Sequence, residues 1–154
     1  MQNLTPAEFE KMQAFVSQAF DFARCNDAPS LKIMLENGLN PNLANHKGDT
    51  LLMLASYRDS EECVRLLIKH GADIDKPNDR GHTPLAGVCF KGHANIAKIL
   101  LDAGANPQGF EGSGGALSPI NTALIFRRKA ILRLLLSHTK LSKWQKFLKF
   151  ISFS

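Results

Sequence analysis

The strongest constraint on this chain is a period of 33 residues. Gly38, Gly71 and Gly104 keep that interval, as do Gly48 with Gly81 and Thr50 with Thr83. The stretch from Cys63 to Asp73 overlays the stretch from Ile96 to Asn106, and Leu31 to Asn40 falls in the same register. Ser118-Pro119-Ile120 repeats Thr83-Pro84-Leu85 at an interval of 35, so two residues are inserted before the last copy. A unit this short cannot bury its apolar face alone. It must stack on its neighbours, which dictates a one-dimensional array closed by atypical end units.

Each unit reads as two short helices and a turn. Thr50, Thr83 and Ser118 are residues whose oxygen caps a helix start, and Pro84 and Pro119 suit the first helical position. Small residues follow (Ala55, Ser56, Val88, Cys89, Ala123), which permits close helix stacking. The second helix carries apolar residues at helical spacing, as in Val64, Leu67 and Ile68, or Ile96, Leu100 and Leu101. Gly71 and Gly104 stand where a helix ends with positive φ. Residues 41–49 and 75–82 are rich in Pro, Asn, Asp and Gly and predict turns. At the front, Thr5-Pro6-Ala7-Glu8 is a capping box, followed by Phe9, Met12, Val16, Ala19 and Ala23 at helical spacing. At the back, Thr139 takes the place of the expected glycine. Ser142-Lys143-Trp144-Gln145 then opens a terminal helix with Leu141, Trp144, Leu148 and Ile151 on one face.

With Thr83-Pro84-Leu85, Gly92-His93 and Gly104-Ala105 at this period, the chain resembles the ankyrin-repeat family, over roughly residues 17–139. It is most similar to the small stand-alone ankyrin-repeat proteins of bacteria. The second unit lacks the proline at Leu51. The resemblance implies an all-α solenoid of about four helix-turn-helix repeats with β-hairpin fingers and capping helices. As a single domain over 1–154, it would comprise an N-terminal capping helix at 1–16, repeats at about 17–49, 50–82, 83–117 and 118–139, and a C-terminal capping helix at 140–154. The first repeat would replace its finger with a longer N-terminal helix.

Composition narrows the function classes. At 154 residues and 17.0 kDa, with 44% hydrophobic and 21% charged residues, the chain suits one folded domain. Its apolar runs are too short for a membrane span, and Glu8 and Glu10 interrupt any secretory signal. Cys25, Cys63 and Cys89 have no metal-ligand spacing and cannot all pair, which predicts reduced thiols and a cytoplasmic location. The net charge of +5 is uneven. After Glu111 there are eight basic residues and no acid, leaving eleven basic against fourteen acidic residues in the first 111. Arg127, Arg128, Lys143, Lys146 and Lys149 form a basic C-terminal patch that either docks on an anionic membrane or nucleic acid, or solubilises the end of the stack. The interleaved Trp144, Phe147, Phe150 and Phe153 suit an interfacial helix or packing on the fourth repeat.

Little in the sequence carries catalysis. The five His have no ligand spacing, and His93 occupies a structural position of the family's motif. Cys63 and Cys89 read as inert core thiols, and Cys25 lacks a neighbouring base. Gly109–Gly115 is glycine-rich, but no Gly-Lys-Ser/Thr follows it, so it reads as an elongated finger. No metal, cofactor or enzymatic activity is expected. A binding surface is. The family grips partners with its finger tips and with exposed residues of each first helix. Those positions hold Arg24 and Cys25, Tyr57 and Arg58, Phe90 and Lys91, and Ile125 and Phe126, with Arg127 beside them. An aromatic in each of three successive repeats suits a hot spot, or else packs on neighbouring loops. The finger tips add His46, Lys47, Asp49, Asp79, Arg80 and His82. The expected function is non-enzymatic binding of an unidentified protein, which the chain, monomeric alone, would inhibit, escort or stabilise, as an immunity or accessory protein does. The alternative is docking on a membrane or nucleic acid through the basic end.

Overall fold

A computed structural model describes residues 4–109 and 118–139. They form α1 (Pro6–Cys25), α2 (Ala28–Glu36), α3 (Leu51–Tyr57), α4 (Glu61–Lys69), α5 (Pro84–Lys91), α6 (Ala94–Asp102), α7 (Pro119–Ile125) and α8 (Lys129–His138). The first helices α1, α3, α5 and α7 pack in chain order as one row, and α2, α4, α6 and α8 as a second row. Each element touches its own repeat and the adjacent ones, as the 33-residue period requires.

The core lies between the rows. Leu51, Leu52, Leu67, Leu85, Ile96, Leu100, Ile131 and Leu135 are fully buried there. Each such side chain contributes about 1.5–3 kcal/mol of transfer free energy. Ala55, Ser56, Val88, Cys89 and Ala123 are also sealed from solvent, and their small size lets the first helices approach closely.

The capping signals act as expected. Thr50, Thr83 and Ser118 accept the N–H of Met53, Ala86 and Asn121 at 3.1, 3.3 and 3.2 Å. Thr5 and Glu8 close the capping box of α1. Gly71 has φ 81° and Gly104 has φ 98°. Around Gly71 the Ala72 N–H reaches Leu67 O and the Gly71 N–H reaches Ile68 O, both at 3.0 Å. This double closure ends α4 and needs a left-handed residue at its turn. Thr139, lacking that freedom, sits in extended backbone at φ −89° and ψ 132°, so α8 ends differently.

The finger loops are shaped by asparagines 33 residues apart. Asn45 Oδ1 accepts the N–H groups of Lys47 and Asp49, and Asn78 Oδ1 accepts those of Arg80 and His82. Among the described residues the antiparallel pairing in these fingers amounts to one bridge, between Ala44 and Thr50. A short loop whose polar groups are already met by Asn side chains has little need for a longer ladder.

Polar bonds between repeats run along the stack on both sides. On the finger side, Asn42 Oδ1 accepts the Asp73 N–H at 2.7 Å, and the Asp75 carboxylate accepts the Asn106 N–H at 3.1 Å. On the other side the residue capping each second helix reaches back one repeat to a backbone carbonyl. Ser60 donates to Arg24 O at 3.2 Å, the His93 ring nitrogen lies 3.3 Å from Tyr57 O, and Arg128 donates to Phe90 O at 2.9 Å. His93 thus has the structural place its motif implied.

Helix α1 is continuous through residues 16 and 17, so the capping segment and the first helix of repeat one are a single element. Its buried residues, Ala19, Phe20 and Ala23, all lie in its second half, and Phe9, Met12 and Phe15 remain exposed. No helix among the described residues is long and apolar enough to cross a membrane. The C-terminal capping helix expected over 140–154 lies outside the described residues.

Candidate partner-binding site

The ends of the first helices fall in a line because the repeats stack. Tyr57 is the last residue of α3, Phe90 the penultimate residue of α5, and Phe126 the cap of α7. The Tyr57 and Phe90 rings are 6.4 Å apart and nearly parallel, at 8°. The Phe90 and Phe126 rings are 4.8 Å apart at 85°, edge to face. That change of geometry follows from register. Ile125 is the residue equivalent to Tyr57 and Phe90, and Phe126 stands one position later, beyond the helix end. The rings pack on one another and still expose 36%, 42% and 44% of their surface. Leu124 and Ile125 extend this apolar strip, at 54% and 68% exposure. Leu124 carries no sequence signal, since its equivalents Ser56 and Cys89 are buried.

Cations line the strip. The Lys91 ammonium stands 4.9 Å over the Tyr57 ring, near enough for a cation–π attraction. Arg58 and Arg127 are exposed, and Arg24 is paired with Asp21 at 2.9 Å. Cys25 is exposed at the same edge. Arg127 holds a left-handed backbone at φ 52°, the position filled by Asn26, Asp59 and Gly92 in earlier repeats.

Arg128, read from sequence as part of the basic patch, turns inward. Its Nη2 donates to Phe90 O, and its guanidinium lies flush on Gly92, where an added Cβ would sit 2.9 Å from Arg128 Cζ. A charge count gives no direction for a side chain. The register of Arg128 with Ser60 and His93 was the signal that could have supplied it. Of the remaining patch, Arg127 faces solvent, and Lys143, Lys146 and Lys149 lie outside the described residues.

The finger-tip residues divide in the same way. His46, Lys47, Asp79 and Arg80 are exposed, and His82 is half-buried. Asp49 is engaged internally, because its carboxylate accepts from Asn78 Nδ2 at 2.8 Å and Asn45 Nδ2 at 3.4 Å. The Asp79 N–H donates to Lys47 O at 3.1 Å, which ties the two fingers together.

Burial pushes the Cys63 thiol up to about 11 and the Cys89 thiol up to about 12, so both remain protonated at neutral pH. The Cys63 thiol also faces Phe22 O at 3.5 Å. Neither is a poised nucleophile.

A family model of ankyrin repeats, in three copies, matches residues 20–111. An ankyrin repeat protein of Pseudomonas aeruginosa is 56% identical over 54 residues, covering 35% of this chain and 32% of that protein. Mouse ankyrin repeat and SOCS box protein 16 is 33% identical over 100 residues, 60% of this chain and 22% of its own length. Human protein phosphatase 1 regulatory subunit 27 is 47% identical over 45 residues, 29% of each chain. This chain thus spans about a third or less of the length of these curated relatives.

Proposed function

The chain belongs to the ankyrin-repeat family, whose members are generally protein-interaction modules, and from that premise we propose that it binds a partner protein across the Tyr57–Phe90–Phe126 strip. The observation that carries this is the combination of mutual ring packing with continued exposure. Three rings held in place by one another present apolar area at little further cost in side-chain entropy, which is what a binding hot spot requires. The exposed fingers, at His46, Lys47, Asp79 and Arg80, would form the second side of the contact. Its action is occupancy: the bound partner is inhibited, escorted or stabilised, as by an immunity or accessory factor. No enzymatic step is part of this reading. The buried, protonated thiols suit a reducing cytoplasm. Docking through the basic end gains nothing from Arg128, whose guanidinium serves the stack.

Site-specific photocrosslinking in the native host tests it. A photoreactive side chain at Phe90 should trap one protein that the same group at Lys98, on the opposite row, does not. The Tyr57→Ala background should lose that product. Equal trapping from both positions refutes the groove.

A further inference from the structure

Resting on the groove reading above, we propose that the occupant is an acidic segment of the partner protein, with apolar side chains that seat on the three rings. Charge complementarity carries this. On the outer row, α2, α4 and α6 each match a cation within the helix. Lys32 lies 3.6 Å from Glu36, Arg65 lies 2.9 Å from Glu61, and Lys98 pairs with Asp102 at 2.5 Å. On the groove side the pattern differs. Among the described residues, Arg58, Lys91 and Arg127 beside the rings, and Lys47 and Arg80 at the finger tips, have no carboxylate within 4 Å.

The acids of that side are largely engaged. Asp21 holds Arg24, Asp49 accepts from Asn78, and Asp59 lies 3.8 Å from the His93 ring. Asp79 is exposed at the finger tip. The groove therefore presents a surplus of positive charge around an apolar strip, on a body whose first 111 residues hold more acid than base. Unmatched exposed cations attract a complementary partner over roughly a Debye length, about 8–10 Å, and reject basic ones. A phosphate backbone fits less well than a polypeptide. Asp21 beside Arg24, Asp59 beside His93 and Asp79 at the finger tip are scattered among the cations and repel an evenly spaced row of phosphates, whereas a peptide can place its carboxylates between them.

An array of short synthetic peptides of random sequence tests the proposal while the partner is unidentified. It is probed with the wild-type protein, with Phe90→Ala, and with the Arg58→Glu/Lys91→Glu double variant. All substituted positions are exposed, and a melting curve confirms that each variant is folded. Wild-type binders should combine Asp or Glu with Leu, Phe, Tyr or Trp. They should lose about tenfold or more in affinity against the double reversal, which should select Lys- and Arg-rich peptides instead. Binders that need Phe90 but are neutral or basic, and indifferent to the reversal, overturn the charge inference and leave the groove reading standing. Binders indifferent to Phe90→Ala overturn the groove reading, and this proposal with it. A labelled oligothymidylate that binds through Arg58 and Lys91 more tightly than any acidic peptide overturns the proposal in favour of nucleic acid. Failure of every peptide to bind overturns it too.

Discussion

Arg127 and Arg128 are adjacent, share a charge, and should respond to mutation with opposite signs. Arg128 makes one charge-assisted bond, 2.9 Å from Nη2 to Phe90 O, and covers Gly92. A bond from a charged donor contributes about 1.5–3 kcal/mol, and a buried donor left unpaired costs about 1–3 kcal/mol. Arg128 Nε is such a donor among the described residues, so the two effects partly cancel. The expected loss for Arg128→Ala is about 1 kcal/mol. Arg127 carries a left-handed backbone at φ 52° that costs a non-glycine residue roughly 1–2 kcal/mol. Arg127→Gly removes that strain but adds about 0.5–1 kcal/mol of unfolded-state entropy, so a net gain of about 0–1.5 kcal/mol, near the middle of that range, is expected. For a chain of this size the melting temperature should fall by about 2–4 °C in the first variant and rise by a degree or two in the second. Urea titrations of both proteins should show unchanged m-values, since both substitutions leave the fold intact. Arg128→Lys separates the bond from the charge, because an ammonium keeps the charge but cannot lie flat on Gly92. A gain or no shift at Arg128 would refute the inward clamp and return that residue to the surface patch, and a loss at Arg127 would refute the strain argument.

Gly71→Val and Gly104→Val should each cost about 1–2 kcal/mol in a denaturant titration, from backbone strain alone, because an added Cβ meets nothing within 4 Å at either site. Gly71→Asn should cost less than Gly71→Val, since Asn tolerates the left-handed region. Tyr57→Ala, Phe90→Ala and Arg58→Ala should each weaken partner binding by about 1–3 kcal/mol in a titration, while Glu62→Lys and Lys98→Glu leave it intact. Alkaline stability should fall from about pH 9, where the unfolded Cys63 and Cys89 thiols ionise, up to the folded values of about 11 and about 12, because the unfolded state binds fewer protons across that window. Cys89→Ala should make that fall shallower. In native protein a thiol reagent should modify Cys25 first and reach Cys63 and Cys89 only on unfolding.

The architecture was legible because its determinants are local and repeated. Thr50, Thr83 and Ser118 cap helices, and Gly71 and Gly104 end them, for reasons contained within a few residues. The line of Tyr57, Phe90 and Phe126 was legible for the same reason: stacking turns a sequence interval into a spatial neighbour. What escaped was the direction of long polar side chains. Arg128 and Asp49 both read as surface charge, and each makes a bond to the adjacent repeat. The exposed half of α1 escaped as well. Phe9 and Met12 keep the spacing of Ala19 and Ala23, but the row that buries the latter does not reach them. Periodicity marks a face of a helix and says nothing of how far its neighbour extends.

The bonds that Ser60, His93 and Arg128 make to Arg24 O, Tyr57 O and Phe90 O divide labour within single residues. The acceptor is in each case a main-chain oxygen, which every amino acid possesses. The cohesion that these bonds supply is therefore indifferent to which side chain stands at positions 24, 57 and 90. That side chain can change without breaking the bond beneath it. A drift from Tyr to Trp or Arg there would alter the exposed strip and leave these carbonyl bonds in place. These joints would thus survive single substitutions that change what the groove displays, as a tightly coupled active site would not.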